Sequence, residues 1–315
     1  MAAGGVAWWL ERPLPLAAAS AELSIESGTA PRDVAQAWVD AGVQVPPRWL
    51  YEWFRWSGQA RRIRAGSYEI KTGTTPRGLL AKMVQGDETL ERVRFIEGWT
   101  LRQVRAALAQ SPHLKSATAQ MSDGQLMAAL GAPGIAAEGR FFPDTYVYSR
   151  GVSDLTILRR AHQALQGRLA AAWAERPPES PLKTPDELLT LASIVEKETG
   201  VAADRALVAG VFINRLKLGM PLQTDPTVIY GLGTAFDGNL RKRDLQTDGP
   251  YNTYTRGGLP PTPIALPGMA SLRAAVRPQP TRALFFVARG DGSSVFSETL
   301  AEHNRAVNKY QRGGP

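Results

Sequence analysis

One carboxyl group in this sequence is placed by a helix where it could act as a general acid. The stretch from Thr184 to Gly200 has the spacing of an amphipathic helix, and Glu196 lies in projection on its burying side. A carboxylate there is costly unless it is paired or protonated. A carboxyl that stays protonated near neutral pH is what acid catalysis requires. The position also fits a structural role, in which Glu196 pairs with an arginine at the edge of the core.

Capping residues predict both ends of this helix. Thr184 suits the N-cap, Pro185 suits the first helical position, and Glu187 is spaced to complete a capping box. A glycine follows the expected end. On the same projection Lys197 points away from the apolar face and Glu198 lies at its margin. The apolar face is formed by Leu188, Leu189, Leu191, Ala192 and Val195.

Two later loops carry further side chains that could do chemistry. Asp225 is expected to cap a short helix that Pro226 starts. Capping also explains Thr224, but it does not explain Gln223. Residues 250–263 contain so much Pro and Gly that they predict a rigid, shaped loop. Loops of this kind often carry function on a scaffold.

A third turn-rich stretch runs from Glu138 to Tyr146 and places aromatic residues beside a carboxylate. Asp144 and Tyr146 could line a cleft. They could equally form the turn itself, through an Asx-type bond after Pro143.

Composition bounds the classes of protein to which this chain can belong. Its 315 residues allow two domains, and 21% charged with 43% hydrophobic residues describe a folded protein. The lack of cysteine excludes disulfides and thiol catalysis. The three histidines are far apart without HExxH spacing, so no metal is expected. The net charge of +8 favours an acidic partner, yet no helix-turn-helix or zinc-finger spacing accompanies it, so nucleic acid is not expected.

The N-terminal region repeats one local pattern. Residues 25–32 and 70–77 share an apolar end, a Gly-Thr turn and a Pro-Arg helix entry, and residues 96–101 echo them. Each copy predicts a strand, a tight turn and a helix, which together make a small α+β module. Aromatic residues at 49–54 have the helical spacing of a core, although such rings could also stack on sugars.

The first residues include a short apolar piece from Gly4 to Leu10. It cannot span a bilayer, which takes about 20 residues. Trp8 and Trp9 resemble the interfacial rim of a membrane span, and a loose amphipathic tail is the alternative.

Between about Leu23 and Val307 the chain resembles the endolytic murein (lytic) transglycosylase family, the MltG/YceG-like proteins, because it contains six of the family's motifs in the family's order. One such motif would be a weak signal, whereas six in the family's order are specific. They are LASIVEKE at 191–198, VFINRL at 211–216, LQTDPTVIY at 222–230, PYNTY at 250–254, GLPP at 258–261 and EHN at 302–304.

The resemblance implies an α+β fold, with a small LysM-like βα glycan-binding module at 20–90 and a mixed α+β catalytic domain at 91–315. It also implies an anchor of one N-terminal helix in the bacterial inner membrane, with the catalytic domain in the periplasm. That span is absent here, so residues 1–19 are expected to be a remnant of the anchor and its linker. The implied partners are peptidoglycan glycan strands and cell-wall synthases, the penicillin-binding proteins.

The resemblance further implies the reaction. Glu196 matches the family's catalytic glutamate, which protonates the glycosidic oxygen and then takes a proton from the C6 hydroxyl of N-acetylmuramic acid. That hydroxyl attacks the anomeric carbon of its own sugar, so one carboxyl suffices, no cofactor is needed, and a 1,6-anhydro end remains. Such cleavage would end the growth of nascent strands. The residues expected to bind substrate are Gln223, Asp225, Tyr251, Asn252 and Tyr254, with Glu138, Asp144 and Tyr146 as a second group.

Two other classes of function are also consistent with these residues. The chain could be a glycan-binding scaffold with an inactive domain, if an ion pair with Arg215 held Glu196 and no cleft existed. It could also be a peptidoglycan hydrolase that uses a second carboxylate, Glu198 or Asp225. Product analysis separates the last class, because only the lyase-type reaction leaves anhydro ends.

Overall fold

The computed structural model describes residues 2–311, and contacts divide them into two compact units. The chain passes from one unit to the other several times, including once within Leu90–Arg94 and once within Thr145–Ser149. The first unit comprises residues 2–93, 110–116 and 147–154, and the second comprises 94–109, 117–146 and 155–311.

In the first unit, two helices lie in sequence between two antiparallel strands. The strands are paired with Ala21 opposite Ile70. No helix within residues 2–311 is long and apolar enough to cross a membrane. The elements up to the first crossing are α1 (Ala2–Leu10), β1 (Ser20–Ile25), α2 (Pro31–Asp40), α3 (Pro47–Trp56), a 3₁₀ turn (Ala60–Arg62), β2 (Gly66–Lys71), α4 (Pro76–Gln85) and β3 (Leu90–Arg94).

The repeated pattern forms the strand, turn and helix that it predicts. The turns after β1, β2 and β3 contain Gly28, Gly73 and Gly98, with φ of +86°, +99° and +76°. This left-handed conformation is one that glycine adopts without steric cost. In the first two copies, Pro31 and Pro76 begin the helix that follows. The local prediction is therefore confirmed.

The aromatic residues of α3 are divided between the core and the surface. Leu50 and Phe54 are fully buried, as a core stripe requires. Trp49 is 53% exposed, so the prediction of a core position is wrong for this residue. Its ring instead packs edge-on against Trp9 of α1, with the centroids 5.7 Å apart.

Helices dominate the second unit, where the chain folds around α8. The mixture of helices with small two-stranded sheets confirms the α+β class. The remaining elements are α5 (Leu101–Gln110), α6 (Asp123–Ala129), β4 (Thr145–Ser149), α7 (Asp154–Ala174), α8 (Pro185–Glu198), α9 (Ala202–Lys217), α10 (Asp225–Leu232), a 3₁₀ turn (Gly233–Ala235), α11 (Lys242–Gln246), α12 (Met269–Val276), β5 (Phe285–Ala288), β6 (Ser294–Ser297) and α13 (Leu300–Tyr310).

Helix α8 is the buried centre of this unit, and it contacts α9, α10 and α12. All residues from Leu188 to Val195 are buried. The side chain of Thr184 accepts the backbone N–H of Glu187, as predicted. The capping box differs from the prediction, because the carboxylate of Glu187 accepts the N–H of Lys183. The helix is thus fixed at its start and runs through the core to Glu198.

Two helical glycines offer a matched test of this packing. A Cβ at buried Gly210 of α9 would lie 2.7 Å from the carbonyl oxygen of Gln279, whereas one at exposed Gly167 of α7 would meet open space. We expect Gly210→Ala to lower the free energy of unfolding by about 1–2 kcal/mol through overpacking. Gly167→Ala should raise it by up to about 1 kcal/mol through helix propensity. Urea denaturation measures both, and stabilisation by both changes would contradict the close contact at Gly210.

Candidate active site

The last turn of α8 directs three consecutive side chains to different surroundings. Half-buried Glu196 accepts the backbone N–H of Gly268 at Oε2, 2.9 Å away. Exposed Lys197 reaches the carbonyl oxygen of Gly98 at 3.4 Å. Glu198 lines a cavity. Within residues 2–311 no ion pair holds Glu196, so the core-edge pairing that the sequence left open is not observed.

The cavity at Glu198, here called the acid cavity, has a volume of about 430 Å³ and lies in the second unit. Strand β5 and helix α13 supply an apolar side. Three of the predicted substrate-binding residues share this cavity with Glu198. Its polar lining includes Glu198, Arg215, Gln223, Asp225, Tyr254 and His303.

Glu198 shows the raised carboxyl pKa that a general acid requires. Burial raises the pKa of its carboxyl above the ordinary value. The hydroxyl of Thr224 donates to Oε2 at 2.6 Å and opposes this increase, the charge of Asp225 adds to it, and Arg215 opposes it. Burial dominates because water no longer solvates the charged form. A carboxyl of this kind can retain a proton at a higher pH than an exposed glutamate.

The segment that leads into α10 brings its polar residues to Glu198. The helix begins at Asp225, with Thr224 in the N-cap position and no capping bond from its side chain. The predicted cap by Asp225 is therefore wrong, because its carboxylate accepts the hydroxyl of Tyr254 at 2.6 Å instead. The loop at 250–254 holds this segment, since the N–H of Gln223 donates to the carbonyl oxygen of Thr253.

Gln223 has a left-handed backbone, with a φ of +48°. This conformation is uncommon for residues other than glycine. Strain of this type occurs often at functional sites, where the surrounding structure holds it in place. The unusual backbone and the cavity-lining side chain together support a functional role for this segment.

Arg215 of α9 hydrogen-bonds to backbone segments that line the acid cavity. It is only 7% exposed, and its guanidinium donates to the carbonyl oxygens of Leu284 at 2.7 Å and Leu222 at 2.8 Å, with a longer bond to Pro221 at 3.3 Å. Burial lowers the pKa of Arg215, while the nearby Tyr254 and Glu198 raise it. The arginine thus contributes a positive charge beside Glu198 and leaves Glu196 unpaired.

A second cavity, here called the tyrosine cavity, has a volume of about 640 Å³. Its walls include Glu138, Lys197, Tyr230 and Tyr251. The rings of Tyr230 and Tyr251 lie edge to face with centroids 4.9 Å apart. Consecutive residues of α8 line the two cavities, Lys197 here and Glu198 in the acid cavity.

Glu138 is the carboxyl of the tyrosine cavity. It accepts the N–H of Leu101 at 2.9 Å, the N–H of Gly139 at 3.1 Å and the hydroxyl of Tyr230 at 3.2 Å. Burial raises its pKa, and these hydrogen bonds oppose the increase. Burial likewise raises the pKa of Tyr230, which keeps its hydroxyl protonated as a donor. Aromatic walls with a carboxyl and a lysine suit the faces and hydroxyls of a sugar.

The other candidates lie outside the linings of these two cavities. Asn252 is buried, and its amide donates to three backbone carbonyls, at Asp244, Leu245 and Thr247. Tyr146 is also buried, with its hydroxyl on the carbonyl of Phe142 at 2.7 Å. In this conformation, both side chains use their donors within the protein.

Asp144 also lies outside the two linings. It is exposed, and its carboxylate accepts the N–H of the neighbouring Thr145 at 2.7 Å. This bond reaches the adjacent residue, so it is not the Asx-type bond that the sequence left open, which would reach the residue two positions on.

Sequence reasoning assigns no site role to Arg215, Tyr230 and His303, which line these cavities, or to Thr224, which bonds to Glu198 from outside the lining. Capping accounts for Thr224, Arg215 enters only as a partner for Glu196, and Tyr230 and His303 only as parts of motifs. A signal existed for three of them, because Arg215, Tyr230 and His303 occur in the quoted motifs. Their roles depend on segments that are distant in sequence, so spacing alone could not assign them.

Known proteins are similar to this chain in sequence and in fold. The YceG-like family matches residues 23–309. The endolytic murein transglycosylase of Bacillus subtilis (strain 168) is 35% identical over 268 residues, which cover 80% of this chain and 74% of that protein. A crystal structure of a yceG-like protein from Listeria monocytogenes matches with a TM-score of 0.60 and 30% identity, over 91% of this chain and 98% of the other.

A more distant relative is longer. The endolytic murein transglycosylase of Streptococcus pneumoniae serotype 2 (strain D39) is 27% identical over 281 residues. The match covers 79% of this chain and 51% of that protein, so the chain spans about half the length of this relative.

Proposed function

Because the chain belongs to the YceG-like family, we propose that it is an endolytic murein transglycosylase, a lyase that cleaves the bond between N-acetylmuramic acid and N-acetylglucosamine within glycan strands. The names of the relatives from two bacteria support this activity. The geometry supports it through one observation, a buried carboxyl of raised pKa in a cavity lined by polar side chains.

We assign the role of general acid to Glu198. In its protonated form it gives its proton to the glycosidic oxygen, and as a carboxylate it then accepts the proton of the C6 hydroxyl. That hydroxyl attacks the anomeric carbon of its own sugar, so water is not consumed. The negative charge of Asp225 can stabilise the positive charge that develops on the sugar. The positive charge of Arg215 can stabilise the carboxylate of Glu198 after it has given up its proton.

Glu196, which the resemblance nominates, remains the competing candidate. Its carboxylate also lies at the end of α8, and Oε1 has no hydrogen-bond partner within residues 2–311. It is absent from the lining of either cavity described above. Three observations favour Glu198, namely its cavity, its raised pKa and its bond with Thr224.

Product analysis tests the activity itself. Purified glycan strands digested by the protein should yield fragments that end in 1,6-anhydro-N-acetylmuramic acid, which mass analysis detects by the loss of one water. Reducing ends in their place would support a hydrolase, with Asp225 of the same cavity as the second carboxylate. Binding without cleavage would support the glycan-binding scaffold.

The bond from Thr224 predicts a pH effect. This bond stabilises the charged form of Glu198, so Thr224→Val should raise the pKa of the carboxyl further. The acid step needs the protonated form and is lost as the pH rises through that pKa. The alkaline limb of kcat/KM should therefore move to higher pH, by roughly 0.5–1 unit for one hydrogen bond.

Thr227→Val is the matched control for this shift. It removes a buried hydroxyl that bonds to Thr224 and Thr253 and makes no hydrogen bond to Glu198. Its pH profile should keep the position of the alkaline limb. A shift of that limb to lower pH in Thr224→Val would contradict the assignment of Glu198.

The wider setting belongs to the same proposal. We infer that residues 91–315 form the catalytic domain, that 20–90 form a LysM-like glycan-binding module, and that cleavage ends the growth of nascent strands. Partnership with penicillin-binding proteins at the periplasmic face of the inner membrane follows from that role. The order of a strand, two helices and an antiparallel strand in the first unit supports the module.

A further inference from the structure

The acid cavity has a wall to which the proposed reaction gives no role. Leu300, His303 and Val307 line the cavity from α13. Their spacing of three and four residues places them on one face of the helix. Phe285 of β5 lines the cavity as well. The wall therefore consists of a polar ring between two apolar side chains, backed by an aromatic residue.

The imidazole of His303 is held but incompletely bonded. It stacks on the ring of Phe285, with centroids 5.2 Å apart and planes at 24°. Its Nδ1 is buried and has no hydrogen-bond partner within residues 2–311. Burial and the nearby charge of Arg215 lower its pKa, so near neutral pH the ring is uncharged, with one donor and one acceptor. Because Nδ1 is enclosed by the protein, a ligand in the cavity can bond only to the other ring nitrogen, Nε2, which makes no hydrogen bond within residues 2–311.

Leu300 and Val307, on either side of His303 along α13, make the rest of this wall apolar. Leu300 is 57% exposed although it is a large apolar residue, and Val307 is partly exposed. A ligand group that fits here carries a small apolar end beside a neutral hydrogen-bonding end. The acetamido group at C2 of an amino sugar has both, a methyl and an amide.

We propose that Leu300, His303, Val307 and Phe285 bind the 2-acetamido group of a sugar in the acid cavity. The methyl lies against Leu300 and Val307, and the amide hydrogen-bonds with His303. This inference rests on the proposed function, since a glycan strand in the acid cavity presents that group. Helix α13 then selects N-acetylated strands over plain hexose polymers.

Two neutral tetrasaccharides test the inference. Chitotetraose carries an acetamido group at C2 of each sugar, and cellotetraose carries a hydroxyl there. Calorimetry on the full chain with Glu198→Gln measures binding without cleavage. Chitotetraose should bind roughly 10-fold more tightly than cellotetraose, as expected for one added polar contact with its apolar neighbour.

His303→Phe, added to Glu198→Gln, tests the hydrogen bond of the imidazole alone, because phenylalanine keeps a ring that can stack on Phe285. The affinity of this variant for chitotetraose should fall roughly 10-fold, while its affinity for cellotetraose should not change. Arg305→Ala, at an exposed position of α13, is the control and should change neither. Equal losses for both sugars in His303→Phe would overturn the inference, as would equal affinity of the two sugars for Glu198→Gln or no measurable binding of chitotetraose.

Failure of the proposed function gives a different result. If the parent protein leaves no anhydro ends but the selective loss in His303→Phe is seen, the acetamido wall stands and the lyase activity does not. If the parent leaves anhydro ends but His303→Phe shows no selective loss, the activity stands and the wall does not.

Discussion

Glu198→Gln is expected to lower the rate at which anhydro ends form by about 10³-fold or more, because the amide cannot deliver or accept the proton. The fold should survive, since glutamine is nearly isosteric and its oxygen can still accept the hydroxyl of Thr224. Cleavage of purified strands, with quantified anhydro ends and a thermal melt of each variant, measures both effects.

Glu196→Gln is the matched comparison, as the same change two residues earlier on α8. Its amide oxygen can still accept the N–H of Gly268, and we expect the rate to stay within about threefold of the parent, because no proton transfer is assigned to it. The reverse outcome, activity lost in Glu196→Gln and kept in Glu198→Gln, would return the acid to the residue that the resemblance nominates. Loss in both variants would show that the two carboxyls share the chemistry.

Arg215→Met is expected to have the largest effect on stability. The change leaves three backbone carbonyls without their donor and removes the positive charge beside Glu198. Each buried acceptor that is left without a donor typically costs about 1–3 kcal/mol. We therefore expect a loss of about 3 kcal/mol or more in the free energy of unfolding, measured by urea denaturation.

Arg273→Met controls for the loss of an arginine as such. Arg273 is exposed at the end of α12, and surface changes of this kind usually alter stability by less than about 0.5 kcal/mol. Arg215→Lys should recover only part of the lost stability, because lysine cannot reproduce the guanidinium fork. A urea midpoint for Arg215→Met equal to that of the parent protein would show that these hydrogen bonds of Arg215 do not stabilise the fold.

Local features of the sequence predicted much of the fold. Glycine in the left-handed region and proline at the first helical position act within a few residues, so the strand, turn and helix units were predictable. The start of α8 was predictable for the same reason, since Thr184 caps the helix and Pro185 occupies its first turn. The surface position of Trp49, where its ring packs against Trp9 of α1, was not, because local spacing does not show which side of α3 faces the core.

The site was harder to predict, because helical projection assumes that one side of a helix faces the core along its whole length. That assumption fails in the last turn of α8. Thr224 and Arg215 approach Glu198 from other segments and enclose the residue that projection left at the margin. Glu196, placed by projection on the burying side, reaches the N–H of Gly268 instead, and both residues stay partly exposed. Only tertiary contacts distinguish the two carboxyls.

The left-handed backbone of Gln223 limits which residues this position can accept. A β-branched residue would clash with its own backbone at a φ of +48°. Glycine would relieve the backbone but would remove the side chain from the acid cavity. Backbone and cavity thus make opposite demands at one position. An unbranched polar residue satisfies both, so substitution here is restricted even though the side chain is not part of the core.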